Sequence, residues 1–332
     1  MNLVDLAQHF SNDDSAREFL EKQRWPDGPV CPHCKVVGEA YRLKPTANGK
    51  THVRKGVWKC AGCRKEFTVT VGTIFEDSHI PLHKWLLAYH LLCASKKGTS
   101  AHQLHRMLGI TYKSAWFMAH RIRYAMSQEP LSSKLNGIIQ MDETYIGGKF
   151  RAGPEFTKPG ERPKDRLPGI ANKAAVVSVL QRGNRVQSRH VEHVTAKNLK
   201  PIIEEMTAQD AHLMTDDSTV LESAGGNRKH DTVNHSAKEY VRRENGVCIT
   251  TNSVEGYFSI LKRGVNGVYH HWSKKHLYRY LSEFDFRYNA RDISDGERTS
   301  LAVKGSAGKR LMYRDSKSVA WKSKSRDCES RL

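Results

Sequence analysis

Apolar residues along the 332-residue chain follow two periods, and the switches between them mark the predicted elements. Ala16, Phe19 and Leu20 recur at helical spacing within Asp14–Gln23, which predicts one amphipathic helix opened by an Asp or Ser cap. Between residues 41 and 71 the pattern alternates. Tyr41-Arg42-Leu43, Val57-Trp58-Lys59 and Phe67-Thr68-Val69-Thr70-Val71 read as short hairpin strands. The helical period returns over residues 80–126. Pro81 opens a helix running through Leu82 to Tyr89, and Thr99 or Ser100 caps a second that carries Leu104, Met107 and Leu108. After the turn Gly109-Ile110-Thr111, a third carries Trp116, Phe117, His120, Arg121 and Arg123. Helix, glycine turn and helix at this spacing match a helix-turn-helix, although an ordinary helical hairpin has the same pattern.

From Lys134 the texture becomes that of strands. Ile138 to Met141 is a short apolar run that delivers Asp142 and Glu143 before Tyr145 and the Gly147-Gly148 turn. Ala174 to Leu180 reads as a buried strand, turned by Gly183-Asn184 into an alternating partner, Arg185 to Val191. A helix over Ala196 to Met206 follows, with Leu199, Ile202, Ile203 and Met206 on one face. His212 to Thr215 is another apolar strand, ending at Asp216-Asp217. Then Val254, Phe258, Leu261 and Val265 form a helical apolar face, beside a polar stripe of Asn252, Glu255, Ser259 and Lys262. This α/β order, with acids at strand ends, fits a ribonuclease H-like layout. The expected units are a helical segment over 1–28, a zinc ribbon over 29–75, a helix-turn-helix region over 76–130 and the α/β domain over 134–292. Residues 149–173 read as an exposed basic loop in that domain, and 293–332 as a poorly ordered basic tail. Residues 269–291 read as one helix. Leu277, Tyr280, Leu281, Phe284 and Tyr288 are its core face, while His270, His271, Lys274, Lys275 and Arg279 could face phosphates.

Two constellations carry chemistry. Cys31-Pro-His-Cys34 and Cys60-Ala-Gly-Cys63 are two tight thiolate pairs, enough to fill the tetrahedral shell of a structural Zn²⁺. The other constellation is acidic. A carboxylate at the end of a buried strand is costly unless something positive meets it. Asp142, Asp216 and Glu255 converging would repel one another without a divalent cation, and hard oxygen ligands select Mg²⁺ or Mn²⁺. In a two-metal site Asp142 would bridge both ions, Asp216 would hold one and Glu255 the other. Glu143 and Asp217 compete with their neighbours for these roles. His235 could position a phosphate or be an ordinary loop histidine.

Composition narrows the partner. Fifty-four Lys and Arg against 35 Asp and Glu give a net charge of +19 and a pI near 9.6, which favours a polyanion. Double-stranded DNA would meet Tyr112, Lys113, Ser114, Arg121 and Arg123 of the third helix, and Lys262 with Arg263 beside the acids. The longest apolar run, near Trp85 to Ala94, is too short for a bilayer, and the first residues lack a signal-peptide layout. No membrane association and a cytoplasmic location are expected. Seven cysteines, an odd number, argue against a disulfide framework.

The chain resembles bacterial insertion-sequence transposases of the zinc-ribbon, ISXO-like group. The resemblance is carried by CPHC with CAGC, FTVTVGTIFEDSHIPLHKW, MDETYIGGK, LMTDDS, VNHSAKEYV, TNSVEGYFSILKRGVNGVYHH and YLSEFDFRYNAR, between about residues 17 and 314. It implies a DDE recombinase on a ribonuclease H-like fold, with Asp142, Asp216 and Glu255 as metal-binding acids and Lys262 as the accompanying basic residue; some relatives have Asn at the third acidic position, so Asn252 competes with Glu255 there. It also implies cleavage at transposon ends by water, then attack of the freed 3′ hydroxyl on target DNA. Terminal inverted repeats would be bound by the ribbon and helix-turn-helix, and at least a dimer would act on DNA. A DNA-binding regulator with an idle catalytic half, and a nuclease that cuts without joining, are the alternatives.

Overall fold

A computed structural model describes residues 3–44, 55–127, 134–147, 173–237 and 239–314. The chain opens with two helices where one was expected, α1 (Leu3–His9) and α2 (Asp13–Arg24). The cap of α2 is Asn12, whose side-chain oxygen accepts from the backbone N–H of Asp14 and Ser15. A small antiparallel sheet follows, from β1 (Ala40–Arg42), β2 (Trp58–Cys60) and β3 (Glu66–Phe67). The strand expected over 67–71 stops at Phe67, because Val71 N–H turns back to Thr68 O and Thr73 N–H to Thr70 O.

Three helices come next, α3 (Leu82–Ala94), α4 (Ala101–Leu108) and α5 (Tyr112–Met126). Gly109 ends α4 at φ 60°, ψ 41°, a left-handed conformation that suits glycine, and the Thr111 side chain caps α5. Trp85, Leu86, Tyr89, Leu104, Met118 and Ile122 are buried together with Leu6 and Phe10 of α1 and its exit.

The second region is built on a five-stranded sheet of β4 (Ile138–Ile146), β5 (Ala174–Gln181), β6 (Val186–Val191), β7 (His212–Asp216) and β8 (His230–Val233). Its order is β6-β5-β4-β7-β8. The β6-β5 and β5-β4 pairs are antiparallel, and β4-β7 and β7-β8 are parallel. One face carries α6 (Ala196–Met206) and α7 (Thr219–Gly225), packed on Ile139, Met141, Val177 and Leu213. A small hairpin, β9 (Arg242–Glu244) with β10 (Val247–Ile249), leads into α8 (Asn252–Gly264), which covers the other face through Val254, Phe258 and Leu261.

The helix expected over 269–291 is divided. A π-type segment, Val265–Tyr269, ends at His270 in a left-handed backbone (φ 61°). A short 3₁₀ turn at Lys274–His276 then precedes α9 (Leu277–Asn289). The tail expected from residue 293 is instead helical at first: α10 (Asp295–Lys304) starts at a reciprocal Ser294–Glu297 capping box. Its Ala302 and Val303 enter the core formed by α1, α3 and α5. The chain continues into a bridge of Ala307 with Thr73. Residues 315–332, and the basic loop apart from Lys173, lie outside the described residues.

Two arginines expected to face DNA are buried, and this corrects the sequence expectation. The Arg121 guanidinium, 6 % exposed, donates to the carbonyls of Ile74, Glu76 and Leu311. Arg123, 2 % exposed, pairs with Glu283 of α9 at 2.6 Å and lies over the ring of Tyr280. Glu283 also pairs with Arg287 and accepts from the Tyr269 hydroxyl at 2.8 Å. Arg279 is likewise buried, beside Tyr278. Arg121 and Arg123 join elements far apart in sequence, and all three guanidinium side chains are withdrawn from the surface.

Candidate acidic site and cysteine cluster

Side chains alternate along a strand, and on β4 this sorts the two adjacent acids. Gln140 and Ile146 face α8: the Gln140 side-chain oxygen Oε1 accepts from the backbone N–H of Ser253 and Val254 at 3.0 and 3.2 Å, and Ile146 packs in the cluster of Val254 and Phe258. Asp142 has the same parity as these two residues, and Glu143 has the opposite one. The parallel register of β4 with β7 ends at Gln140 with Met214, two residues short of Asp142 on one strand and of Asp216 on the other. No side chain of the Thr251 cap bonds the start of α8, so Gln140 takes that part. It thereby ties the strand of Asp142 to the helix of Glu255.

The electrostatics are one-sided. Burial pushes the Asp142 carboxyl up to about 7, and the negative charges of Asp216, Glu143 and Glu255 add to the shift against one bond from the Glu143 backbone N–H. Glu143 is raised by burial and by Asp216. Asp216 is also raised by burial, with His235 opposing and Asp217 and Glu255 reinforcing. Among the described residues Asp216 Oδ1 and Glu143 Oε2 are buried without a hydrogen-bond partner. Glu255 is exposed and is reached by the Thr251 hydroxyl at 2.7 Å and by His235 Nε2 at 3.2 Å. Asp217 is exposed and accepts from the Asn234 amide at 2.8 Å, turned to another partner. Asn252 is exposed at the first position of α8.

A cleft of about 760 Å³ opens over this end of the sheet, lined by Asp142, Glu143 and Glu255 together with Lys97, Lys262 and Arg263. Buried carboxylate oxygens lacking donors, in a carboxyl cluster where burial and like charge both resist ionisation, are a donor set that a hard divalent cation would satisfy. Lys97 was not anticipated from the sequence. It comes from the loop between α3 and α4, and nothing local to Ser95-Lys96-Lys97-Gly98 relates it to acids 45 or more positions away.

The cysteines are gathered more tightly. Cys31 and Cys63 sulfurs lie 3.6 Å apart, Cys34 and Cys60 3.5 Å apart, and all four within 4.8 Å of one another. A tetrahedron with Zn–S bonds of about 2.3 Å has edges of about 3.8 Å, so the sulfurs fit zinc. Each pair sits on the same knuckle. Lys35 N–H returns to Cys31 O and Arg64 N–H to Cys60 O, with Lys35 and Arg64 both at positive φ. Among the described residues no other set of three or more ligand types is drawn within that distance, and the acids are more widely spaced.

The remaining predicted residues fall at the tip of the helical pair. Tyr112 is exposed and stacks on His102 with ring centres 4.2 Å apart, Lys113 is exposed over the ring of Tyr313, and Ser114 bonds the Thr111 cap. Lys262 and Arg263 are exposed in the last turn of α8.

A basic chain thus carries a thiolate cluster in one region and an acidic cleft on a mixed sheet in another. Residues 134–289 match the ISXO2-like transposase domain and residues 11–66 the transposase zinc-ribbon domain. Both matched domains are transposase domains, and together they span most of the chain. It is also similar to an uncharacterised protein in the transposable element ISH50 of Halobacterium salinarum, 24% identical over 301 residues that cover 84% of this chain and 91% of that protein. No helix among the described residues is long and apolar enough to cross a membrane.

Proposed function

We propose that the chain is the transposase of its own insertion sequence, cutting DNA at the element's ends and joining those ends to a target. The observation that carries this is the placing of Asp142 and Asp216 on neighbouring parallel strands, with Glu255 tied to the first of them through Gln140 and α8. The strand order β6-β5-β4-β7-β8, antiparallel then parallel, is that expected of a ribonuclease H-like nuclease, and supports the same reading. Asp142, Asp216 and Glu255 would hold Mg²⁺ or Mn²⁺, and Glu143 has a buried oxygen free to assist. The bound metal supplies Lewis acidity and lowers the pKa of the attacking water or hydroxyl.

This chain's own residues orient and steer. The Thr251 hydroxyl and His235 hold the Glu255 carboxylate, and Lys262 and Arg263 on α8 attract the scissile strand's phosphates. Tyr112, Lys113 and Ser114 would meet the terminal repeat as the exposed start of a helix-turn-helix recognition helix. Two ends must be brought together, so the active form is at least a dimer on DNA, working in the cytoplasm. The cysteine cluster would hold one structural Zn²⁺.

The deciding experiment incubates the protein and Mg²⁺ with a labelled duplex bearing the element's end and a supercoiled plasmid. Joining of label to plasmid, lost in Asp142→Ala and Glu255→Ala, is expected. Binding without cleavage, unchanged by either substitution, would leave a DNA-binding regulator, and cutting without joining a nuclease.

A further inference from the structure

We propose that Lys97, supplied by the helical region, is a phosphate-contacting residue of the acidic cleft. This rests on the DNA-processing reading given above. A DNA strand entering the cleft brings negative charge towards Asp142, Glu143 and Glu255, so its affinity depends on cations in the same cleft. Lys262 and Arg263 supply them from the helix that also carries Glu255. Lys97 supplies one from a different part of the chain.

The backbone beneath Lys97 is fixed, although its side chain is exposed. Ser95 Oγ donates to the Gly98 carbonyl at 2.8 Å, and Thr99 Oγ1 to the Leu91 carbonyl at 3.1 Å. Gly98 is buried at φ +95°, and a Cβ there would fall 1.8 Å from the Tyr269 hydroxyl. At Gly264 a Cβ would lie 2.9 Å from the Lys97 carbonyl oxygen. Two glycines thus let the loop seat directly on the end of α8 and on Tyr269, which is itself anchored to Glu283. Among the described residues the Lys97 amine has no hydrogen bond or ion pair, so its donors are free for a ligand. Lysine suits this part as a compact charge that needs no fixed fork geometry. The loop joins α3 to α4, so the unit that would grip the transposon end also lines the cleft where that end is cut.

The test uses the full chain with Lys97→Ala, Lys97→Arg and, as a neighbour exposed in the same loop, Lys96→Ala. Binding to an end-bearing duplex is followed by anisotropy across salt concentrations in calcium buffer, and cleavage is followed in Mg²⁺ at saturating DNA. Lys97→Ala is expected to lower the salt slope by about one and to slow cleavage about tenfold or more. Lys97→Arg should stay within about threefold, and Lys96→Ala should match the wild type. An unchanged slope and rate in Lys97→Ala, or equal losses in Lys96→Ala, overturn the proposal. If the wild type binds but cuts nothing, the transposase reading fails while the slopes still decide Lys97. A wild type that binds no DNA sinks both.

Discussion

Glu283 and Asp142 are both acids withdrawn from water, yet their surroundings have opposite sign. Glu283 is fully buried, which alone would raise its pKa, but Arg287 and Arg123 hold it below the usual glutamate value. Asp142 has acids for neighbours and is pushed up to about 7. The first cluster is neutralised from within and holds two regions together. The second leaves its charge uncompensated, and that is what a site awaiting an outside cation looks like. Burying an acid is thus no guide to its role until the charges around it are counted.

The largest test of this contrast removes Glu283. Glu283→Leu strands two guanidiniums in the core, for which about 3–5 kcal/mol of lost stability is expected. Thermal unfolding should show a fall of roughly 4–7 °C, and a melting temperature unchanged within error would break the comparison. Replacing Arg123, Glu283 and Arg287 together by apolar residues should recover most of the loss.

Next in size is Asp142→Asn, measured on protein freed of divalent metal. An aspartate ionises near 4 in the unfolded chain, whereas Asp142 in the folded protein does so near 7. The folded form therefore holds the extra proton between those values. Its contribution to stability is complete below about pH 4 and declines as pH rises through about 7. Asp142→Asn should abolish that decline and raise the melting temperature at pH 8 by roughly 5 °C, while end cleavage disappears. A wild type whose stability is flat from pH 4 to 8 would contradict the assignment.

The smallest effect concerns Gln140. Gln140→Leu removes the two bonds that cap α8 and should cost only about 1–2 kcal/mol. Glu255 would then be held less firmly relative to Asp142, so the Mg²⁺ needed for half-maximal cleavage should rise several-fold. An unaltered metal requirement would reduce Gln140 to an ordinary cap.

Much of this arrangement was legible in the sequence, for local reasons. The Cys-x-x-Cys knuckles are contiguous, and Asp142 and Asp216 directly follow apolar strand residues, so each announces itself within a few positions. What was missed is non-local or was masked by charge. Arg123 sits on the buried stripe of Ala119, Ile122 and Met126, a helical spacing that pointed inward, but its partner Glu283 is 160 positions away. Arg121 is satisfied by three carbonyls, which leave no mark in the sequence. The box Ser294-x-x-Glu297 did signal a helix start, hidden by the basic residues that follow it. Gln140 looked like a neutral residue in an apolar strand, since its function appears only when α8 is laid across it.

The closing of the chain on its beginning also constrains how the molecule is made. Ala302 and Val303 share one core with Leu6 and Phe10, Gly308 N–H bonds Gly72 O, and the Leu311 carbonyl completes the shell of Arg121. Synthesis runs from the first of these residues to the last, so this helical unit lacks a wall until the chain as far as Leu311 has left the ribosome. A message cut short after the α/β region would give a product whose first helical unit is itself unfinished.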